Sequence, residues 1–453
     1  MREISELISS ISCGRGADYA DLYAAKAASH SVRYDNGRMD TMSSSRGSGV
    51  GVRLIIDGNS VYAHTMGTKI SDAGAAAREA ADMSGLAIPD ISGEADLLAD
   101  SALSIPTLDA GFLSDLDRSL RAGCEYIRQI TFGFSTSRKA ILIVKGDGSL
   151  LRDERIYTSF RVFIVLEKDG TVETGYESRS MTCGADVFWN SDGATPESVA
   201  MAALSRGLTM LDAKPCPAGT MTVLLDGTSG GAMIHEACGH GLEADIVEKD
   251  FSAFRGKIGQ QVANPIVTII DDATLPDRWG SYAYDDEGTP GARNVLVENG
   301  TLKMYMTDIL SARRGDLPIT GNGRRQSYSD LPIPRMSNTF VTPGETSFDE
   351  MLASMESGLL VKKMGGGEVN PTSGDYVFQV TEGYLVERGR IGPAVKGATL
   401  AGNGPKTLFN IEAVGRELSL DPGTCGKSGQ GVPVTDGQPS LLIKNLIVGG
   451  AEA

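Results

Sequence analysis

The chain has 453 residues, enough for two or three domains that each bury a core of their own. Its formal net charge is −16 and it has no basic run longer than two arginines, so nucleic acid is not an expected partner. The amino-terminal residues lack a signal-peptide pattern, and no apolar run reaches the roughly 18 residues of a membrane span. The six cysteines include no Cys-x-x-Cys pair, which argues against a disulfide framework or a zinc ribbon. We therefore expect a cytoplasmic protein that binds neither nucleic acid nor membranes.

The first 214 residues alternate between helical and strand patterns, which predicts an N-terminal α/β domain. Asn-Gly and Asp-Gly pairs between apolar runs predict antiparallel hairpins at Asn36-Gly37, Asp57-Gly58, Asp147-Gly148, Asp169-Gly170 and Asn299-Gly300. In chain order the predicted elements are a helix at 2–12, strands at 19–34, 50–56 and 61–64, a helix at 69–83, an acidic connector at 90–106, a helix at 113–130, hairpins at 141–157 and 160–172, and a helix at 197–211.

Residues 214–219 contain two prolines and a glycine, which interrupt both the helical and the strand period. We place the domain boundary there, giving domains at 1–214 and 215–453. Strands dominate the second part and are predicted at 221–225, 266–270, 294–297, 376–386 and 441–448. The predicted class is α+β, with a mainly antiparallel C-terminal domain that also carries a helix directly after its first strand.

That helix contains two of the four histidines of the chain, His235 and His240, with Glu236 directly after the first. Two imidazoles and a carboxylate this close together form a candidate metal site, although a buried helix with two ordinary histidines is the plain alternative. On a regular α-helix a five-residue step would aim the two rings about 140° apart. Joint binding of one ion therefore predicts a π-type turn or a kink between Glu236 and Gly241, with the backbone yielding at Gly239.

A catalytic zinc site usually has three protein ligands, so a third must come from elsewhere in the chain. His30 and His64 lie in strand patterns of the first domain and are expected to be structural. Glu243 and Asp245 suit hydrogen bonding to an imidazole N–H better than direct ligation, or are simply solvated acids. Cys425 lies in a glycine-rich stretch that predicts a rigid loop, with a lysine two residues later that would favour the thiolate. A thiolate there would complete a His2Cys site, although a small residue in a turn is the plain alternative.

Several ordered motifs make the chain resemble the TldD/PmbA metalloproteases over nearly its whole length, on the catalytic TldD side of that family. The motifs are HEACGHGLE at 235–243, YDDEGTP at 284–290, SNTF at 337–340 with PG at 343–344, MGGG at 364–367, NP at 370–371, GDY at 374–376, VKGATL at 395–400 and PGTCGKSGQ at 422–430.

The resemblance implies that His235, His240 and Cys425 bind the metal and that Glu236 is the general base. It also implies a dimer, formed with an identical or a paralogous chain, whose cavity admits unfolded peptides. Two imidazoles and a thiolate suit zinc, and would also accept iron or cobalt. We expect one divalent ion per subunit, with zinc preferred.

The resulting hypothesis is a metal-dependent peptidase that acts on unfolded or extended peptides. The alternative from a different class is a non-catalytic, metal-stabilised subunit that binds peptides or regulates a dimeric complex. A third is a metal-dependent hydrolase of a small amide. Exposed sheet edges in the second domain would pair with a substrate backbone and read few side chains. The glycines at 365–367 either permit close backbone approach or form a plain turn.

Overall fold

The computed structural model describes residues 2–14, 16–101, 103–104, 109–189 and 193–450. Part of the predicted connector at 90–106, namely residues 102, 105 and 106, lies outside these ranges. The elements of the N-terminal part are α1 (Arg2–Gly14), β1 (Tyr19–Asp35), β2 (Arg38–Ile56), β3 (Asn59–Met66), α2 (Ile70–Met83), α3 (Phe112–Gly123), β4 (Ile127–Lys145), β5 (Leu150–Lys168), β6 (Thr171–Met181) and α4 (Pro196–Leu211).

The remaining helices and strands begin at residue 214. They are β7 (Lys214–Pro215), β8 (Gly219–Leu225), α5 (Ala232–Ile234), α6 (Ala244–Glu248), β9 (Ile269–Asp272), β10 (Arg293–Glu298), β11 (Thr301–Leu302), α7 (Ile309–Gly315), β12 (Gly323–Arg324), β13 (Ile333–Pro334), β14 (Asn338–Val341), α8 (Phe348–Ser354), β15 (Ser357–Asn370), β16 (Asp375–Glu387), β17 (Arg390–Lys396), β18 (Thr399–Asn403), α9 (Gly404–Phe409), β19 (Ile411–Val414), β20 (Ser419–Lys427), β21 (Gln430–Gln438) and β22 (Leu441–Gly449).

The first sheet is antiparallel and has six strands in the order β3-β2-β1-β4-β5-β6. Helices α1 and α2 cover one half of one face, and α3 and α4 cover the other half. Successive strand residues point to opposite faces, so Leu22 packs under the helices while Tyr23 packs on the other face, near Tyr328 of the second part. The sheet is therefore held between its helices and the C-terminal half of the chain.

Four of the five predicted hairpin turns have both central residues at positive φ. Asn36, Asp57, Asp169 and Asn299 have φ of 48°, 50°, 50° and 47°, each followed by a glycine with φ between 69° and 91°. Two successive left-handed residues match the right-handed twist of the flanking strands, which is why Asn-Gly and Asp-Gly occur there. At the fifth turn, between β4 and β5, the glycine, Gly148, has φ 82°.

Several predicted elements have the wrong extent. The strand predicted at 266–270 is β9, which begins at Ile269 and ends at Asp272. The helix predicted at 113–130 ends at Gly123, and Ile127 and Ile130 belong to β4, where they pair with β5. The strand predicted from 50 to 56 begins at Arg38, because residues 38–47 continue the pairing with β1 although all of them are exposed. Cross-strand hydrogen bonds hold this serine-rich stretch in the strand conformation. Its sequence does not alternate between apolar and polar residues, so the pattern does not predict a strand there.

The strands from residue 214 onward form three further sheets. One has the order β11-β10-β9-β14-β21-β20 and one is the β12-β13 pair. In the largest, the pairings β8-β15, β15-β16, β16-β18, β18-β22 and β22-β8 close a ring of strands around an apolar interior. Only three of the pairings in these sheets are parallel, among the described residues.

The predicted α+β class with mainly antiparallel sheets is confirmed. The division at 214/215 stays a prediction; β7 lies across that point and pairs with β17 of the largest sheet. Among the described residues, no helix is long and apolar enough to cross a membrane.

Candidate metal centre

The histidine motif directly follows α5, which is joined to β8 through a short 3-10 turn. Residues His235–Gly239 form a π turn, closed by the His240 N–H that donates to the His235 carbonyl, and His240–Leu242 continue as a 3-10 turn. The predicted π turn is confirmed. It widens the helix at the five-residue step and brings the two imidazole centroids to 4.9 Å.

The prediction that the backbone yields at Gly239 was wrong about why a glycine is found there. Its backbone has ordinary right-handed helical angles, φ −53° and ψ −57°, so the glycine is not required by conformation. A Cβ at this position would instead lie 2.1 Å from the Met336 sulfur. Gly239 therefore allows the turn to lie against a buried methionine, and tertiary packing explains the glycine.

The structure brings His235, His240 and Cys425 together, with one ligand atom from each within 4.8 Å of the others. The Cys425 sulfur lies 3.6 Å from His240 Nε2. Cys425 is 2% exposed and lies in β20, opposite Val432 of β21, so the predicted loop is a strand end. The tight turn follows it, at Ser428 and Gly429.

The second nitrogen of each imidazole is held by a carboxylate. His240 Nδ1 lies 2.9 Å from Glu243 Oε2, as the sequence predicted for Glu243, and His235 Nδ1 lies 2.7 Å from Asp436 Oδ1. Asp436 was not predicted, because it is 201 residues away and carries no motif. Gly231 makes this contact possible, since a Cβ there would lie 2.1 Å from Gly437 N. Each ring is thereby held so that its other nitrogen, Nε2, can serve as a ligand atom.

These partners change the acidity of all three groups. Burial lowers the pKa of both imidazoles, but Asp436 beside His235 holds the pKa of His235 well above its usual range. Glu243 similarly raises the pKa of His240 to about 9. Burial raises the pKa of the Cys425 thiol, and the charges of the two imidazoles outweigh burial and lower it to about 5. Cys425 is therefore suited to the thiolate form.

Lys427 is not the cause of that acidity, contrary to the sequence argument. Its ammonium is directed to Glu243 and Asp245, at 3.0 and 2.9 Å. Asp245 thus pairs with a lysine and does not reach an imidazole. His30 and His64 also lie apart from the cluster: His30 contacts Ser44 within the first sheet, and the His64 ring lies 6.2 Å from the Tyr328 ring.

Glu236 lines a cleft of about 430 Å³ together with the three clustered side chains. It is partly buried, and burial raises the pKa of its carboxyl above the usual value. Within the described chain it has no hydrogen-bond or ion-pair partner. One wall of the cleft is β15 at Gly367, Glu368 and Val369, so the glycines at 365–367 belong to a bulged strand and not to a turn.

The donor set fits a divalent cation. Two imidazole nitrogens and one thiolate sulfur match the three-ligand pattern of catalytic zinc sites, which keep one position for water or substrate. Both imidazoles already donate to carboxylates through the nitrogen that would not bind the ion. The cleft beside the cluster leaves space for a substrate.

Two family models match the chain. The one described as "PmbA/TldA metallopeptidase C-terminal domain" covers residues 218–450, and "PmbA/TldA metallopeptidase domain 1" covers residues 20–84. The first spans more than half of the chain and contains every residue of the cluster. The fold and the site thus define a metallopeptidase.

Relatives named for the same activity extend over most of the chain. It is 41% identical to "Metalloprotease TldD homolog" of Haemophilus influenzae over 74% of this chain and 70% of that protein. The protein of the same name from Buchnera aphidicola of Acyrthosiphon pisum is 34% identical over 97% and 94%. A "Zinc metalloprotease TldD homolog" of Saccharolobus solfataricus is 34% identical over 51% and 52%.

A solved structure has the same fold. The "putative modulator of a DNA gyrase" from Thermotoga maritima superposes with a TM-score of 0.77 at 22% identity and covers 99% of both chains. The family models and the relatives, for their part, show that the chain belongs to the TldD/PmbA metallopeptidase family.

Proposed function

We propose that this protein is a zinc-dependent peptidase that cleaves unfolded or extended peptides. In this proposal His235, His240 and Cys425 hold one divalent ion and Glu236 is the general base. The proposal rests mainly on the convergence of the three ligand atoms within 4.8 Å, from two elements separated by 185 residues. Zinc is favoured by the donor set and by the name of one relative.

When bound, such an ion supplies Lewis acidity that polarises the scissile carbonyl and activates water. Glu236 accepts the proton from the attacking water and passes it to the nitrogen of the leaving amine, while the C–N bond breaks. The pKa of the Glu236 carboxyl is raised toward neutral pH, which suits a group that both accepts and returns a proton. Asp436 and Glu243 keep the imidazoles oriented throughout.

An extended peptide is favoured because two strand edges border the cleft. β20 is the last strand of its sheet, and it contributes Thr424, Cys425 and Gly426 to the lining. β15 pairs with β8 only at residues 359–361, so within the described chain one edge of its cleft-lining part has no neighbouring strand. Free backbone N–H and C=O groups on such edges bind a peptide backbone with little regard to side chains. We expect weak sequence preference.

The two alternative functions account less well for Glu236 and for the open strand edges. A non-catalytic peptide-binding subunit would not need an unpartnered carboxylate beside two imidazoles, and partial burial of an unpaired acid is unfavourable. A hydrolase of small amides would not need open strand edges along its cleft. Hydrolysis assays with an unfolded protein, a short peptide and a small amide, each with and without a chelator, separate the three. Chelator-sensitive cleavage of the first two is expected, and no cleavage of any peptide would contradict the proposal.

We also propose that the chain acts as a dimer in the cytoplasm. Residues 38–47 of β2 are exposed, and β3 pairs only with residues 49–56, which leaves an open strand edge. Antiparallel pairing of this edge with a second copy, centred on Ser43, would place Asp40 opposite Arg46 on both sides. This self-complementarity favours an identical partner over a paralogous one. The described cysteines are unpaired, which fits a reducing compartment.

Light scattering measures the mass of the native particle and tests the dimer. A dimer is expected for the wild type, more monomer for Asp40→Arg, and recovery for the charge-swapped Asp40→Arg/Arg46→Asp protein. A monomeric wild type would contradict the dimer, and an undisturbed Asp40→Arg dimer would contradict this interface.

A further inference from the structure

Lys427 is a buried lysine whose ammonium is fully engaged. Its side chain is 8% exposed, and Nζ lies 3.0 Å from Glu243 Oε2, 2.9 Å from Asp245 Oδ1 and 2.5 Å from the Pro334 carbonyl. An ammonium has three N–H donors, so the three oxygens use them all. No donor is left for a ligand in the cleft, although Lys427 lines it. A role in binding substrate is therefore disfavoured.

The same oxygen that accepts from Lys427 also accepts from a histidine of the cluster. Glu243 Oε2 lies 2.9 Å from His240 Nδ1, and the Glu243 side chain is fully buried. A buried carboxylate without a cation is strongly disfavoured, and the imidazole must be neutral to bind a metal ion. The cation that contacts Glu243 directly is thus Lys427, and the Lys427–Glu243–His240 chain is continuous.

Lys427 also belongs to the strand that carries the thiol. Cys425 and Lys427 are two residues apart in β20, so they point to the same face of the strand. Arg335, which is fully buried, donates to the carbonyl of Cys425 in the same strand. Strand β20 therefore carries the candidate ligand Cys425 and, two residues later, Lys427. Lys427 in turn contacts Glu243, the hydrogen-bond partner of the candidate ligand His240.

We propose that Lys427 is a positioning residue of the metal centre: it fixes the Glu243 carboxylate against His240 Nδ1 and thereby aims His240 Nε2 at the position shared with Cys425. This inference rests on the proposed metal site. It differs from a purely structural role, in which Lys427 would only join β20 to α6 through Asp245. The two roles differ in whether the effect on metal binding passes through Glu243.

A double-mutant cycle on zinc affinity separates them. Zinc dissociation constants are measured by competition with a chromophoric chelator at one pH, for wild type, Lys427→Met, Glu243→Gln and the double variant. Loss of such an outer partner typically weakens metal binding about 10- to 100-fold, and we expect this for each single variant. If Lys427 acts through Glu243, the double variant binds zinc no more weakly than Glu243→Gln alone. Unchanged affinity in Lys427→Met, or additive losses in the double variant, would overturn the proposal.

The same four proteins also control for a loss of folding. Lys427→Met leaves Glu243 and Asp245 without their shared cation and can unfold, whereas the double variant also removes the charge of Glu243, the more deeply buried of the two acids. If the single variant is unfolded, the comparison of the double variant with Glu243→Gln still decides: equal affinity supports the proposal and a further loss overturns it. Lys427→Arg, which keeps a cation, should retain more affinity than Lys427→Met.

A matched control is Lys363→Met, which removes the 2.8 Å contact between Lys363 of β15 and Asp421 of β20, a lysine–carboxylate pair in which Glu243 takes no part. Its zinc affinity should equal that of the wild type, and a loss like that of Lys427→Met would count against the specific role. The visible spectrum of the cobalt-substituted protein gives a second readout, because it reports the ligand arrangement; Lys427→Met should change it and Lys363→Met should not. A wild type that binds no zinc would instead defeat the proposed function itself.

Discussion

Two motifs of this chain carry acidic residues whose surroundings differ. Residues 284–288 are inserted against the first sheet, where Glu287 Oε1 lies 2.6 Å from Arg53 and Asp286 Oδ1 lies 3.0 Å from Arg155. All four side chains are nearly inaccessible. Glu236, in the other motif, lines an open cleft and has no paired cation in the described part of the chain.

Under the proposed function, this difference in surroundings separates an acid that takes part in chemistry from acids that hold the fold together. A buried acid with an arginine partner is already satisfied, and losing one partner leaves the other charge unpaired. An unpartnered acid beside two imidazoles is available to accept a proton. Both motifs contributed to the family resemblance, so the motif matches alone did not distinguish the two roles.

Glu236→Gln should have the largest effect on catalysis. Peptidase activity should fall by about 10²- to 10⁴-fold, because the amide cannot accept a proton, while the metal content stays at the wild-type level. Turnover on an unfolded protein, measured together with metal analysis of the same sample, checks both. The comparison would fail if the metal-loaded variant turned over at close to the wild-type rate.

Arg53→Met should reverse that pattern, with loss of stability and retention of the metal site. Removing this guanidinium leaves Glu287 buried without its paired cation and leaves Asp21 only Arg325, at 3.8 Å; breaking a buried pair in this way typically costs about 3–5 kcal/mol of unfolding free energy. Urea denaturation measures it. Lys444→Met, which breaks an exposed pair with Glu412, is the control and should cost less than about 1 kcal/mol. Equal losses of unfolding free energy in Arg53→Met and Lys444→Met would show that the buried ion pairs of Arg53 stabilise the fold no more than an exposed pair does.

Local patterns predicted the local features of the fold and failed where distant contacts decide. Asn36 and Asp57 marked hairpin turns because type I′ geometry favours Asn-Gly and Asp-Gly pairs. The step between His235 and His240 predicted the π turn from helix geometry alone. Asp436 and the exposed half of β2 could not be predicted, since one acts across 201 residues and the other is held by its neighbouring strand. Cys425 as a ligand depended on the family resemblance.

Gly239→Ala should have a smaller effect and tests the packing account of the π turn. The new methyl would displace the buried Met336 side chain, at a cost of about 1–3 kcal/mol in urea denaturation. Gly123→Ala is the opposite case: it meets nothing within 4 Å at the end of α3, and alanine there should be neutral or stabilising by up to about 1 kcal/mol. A fully stable Gly239→Ala protein would show that Met336 does not require this glycine.

Elemental analysis of the purified, folded protein tests the central claim most directly, with wild type and Cys425→Ala measured side by side. The account predicts about one zinc ion per wild-type chain and loss of most of it in Cys425→Ala, with near-wild-type circular dichroism, because a domain of this size does not fold around its ion as a zinc finger does. Equal metal content in the two folded proteins would remove Cys425 from the site and contradict the three-ligand centre.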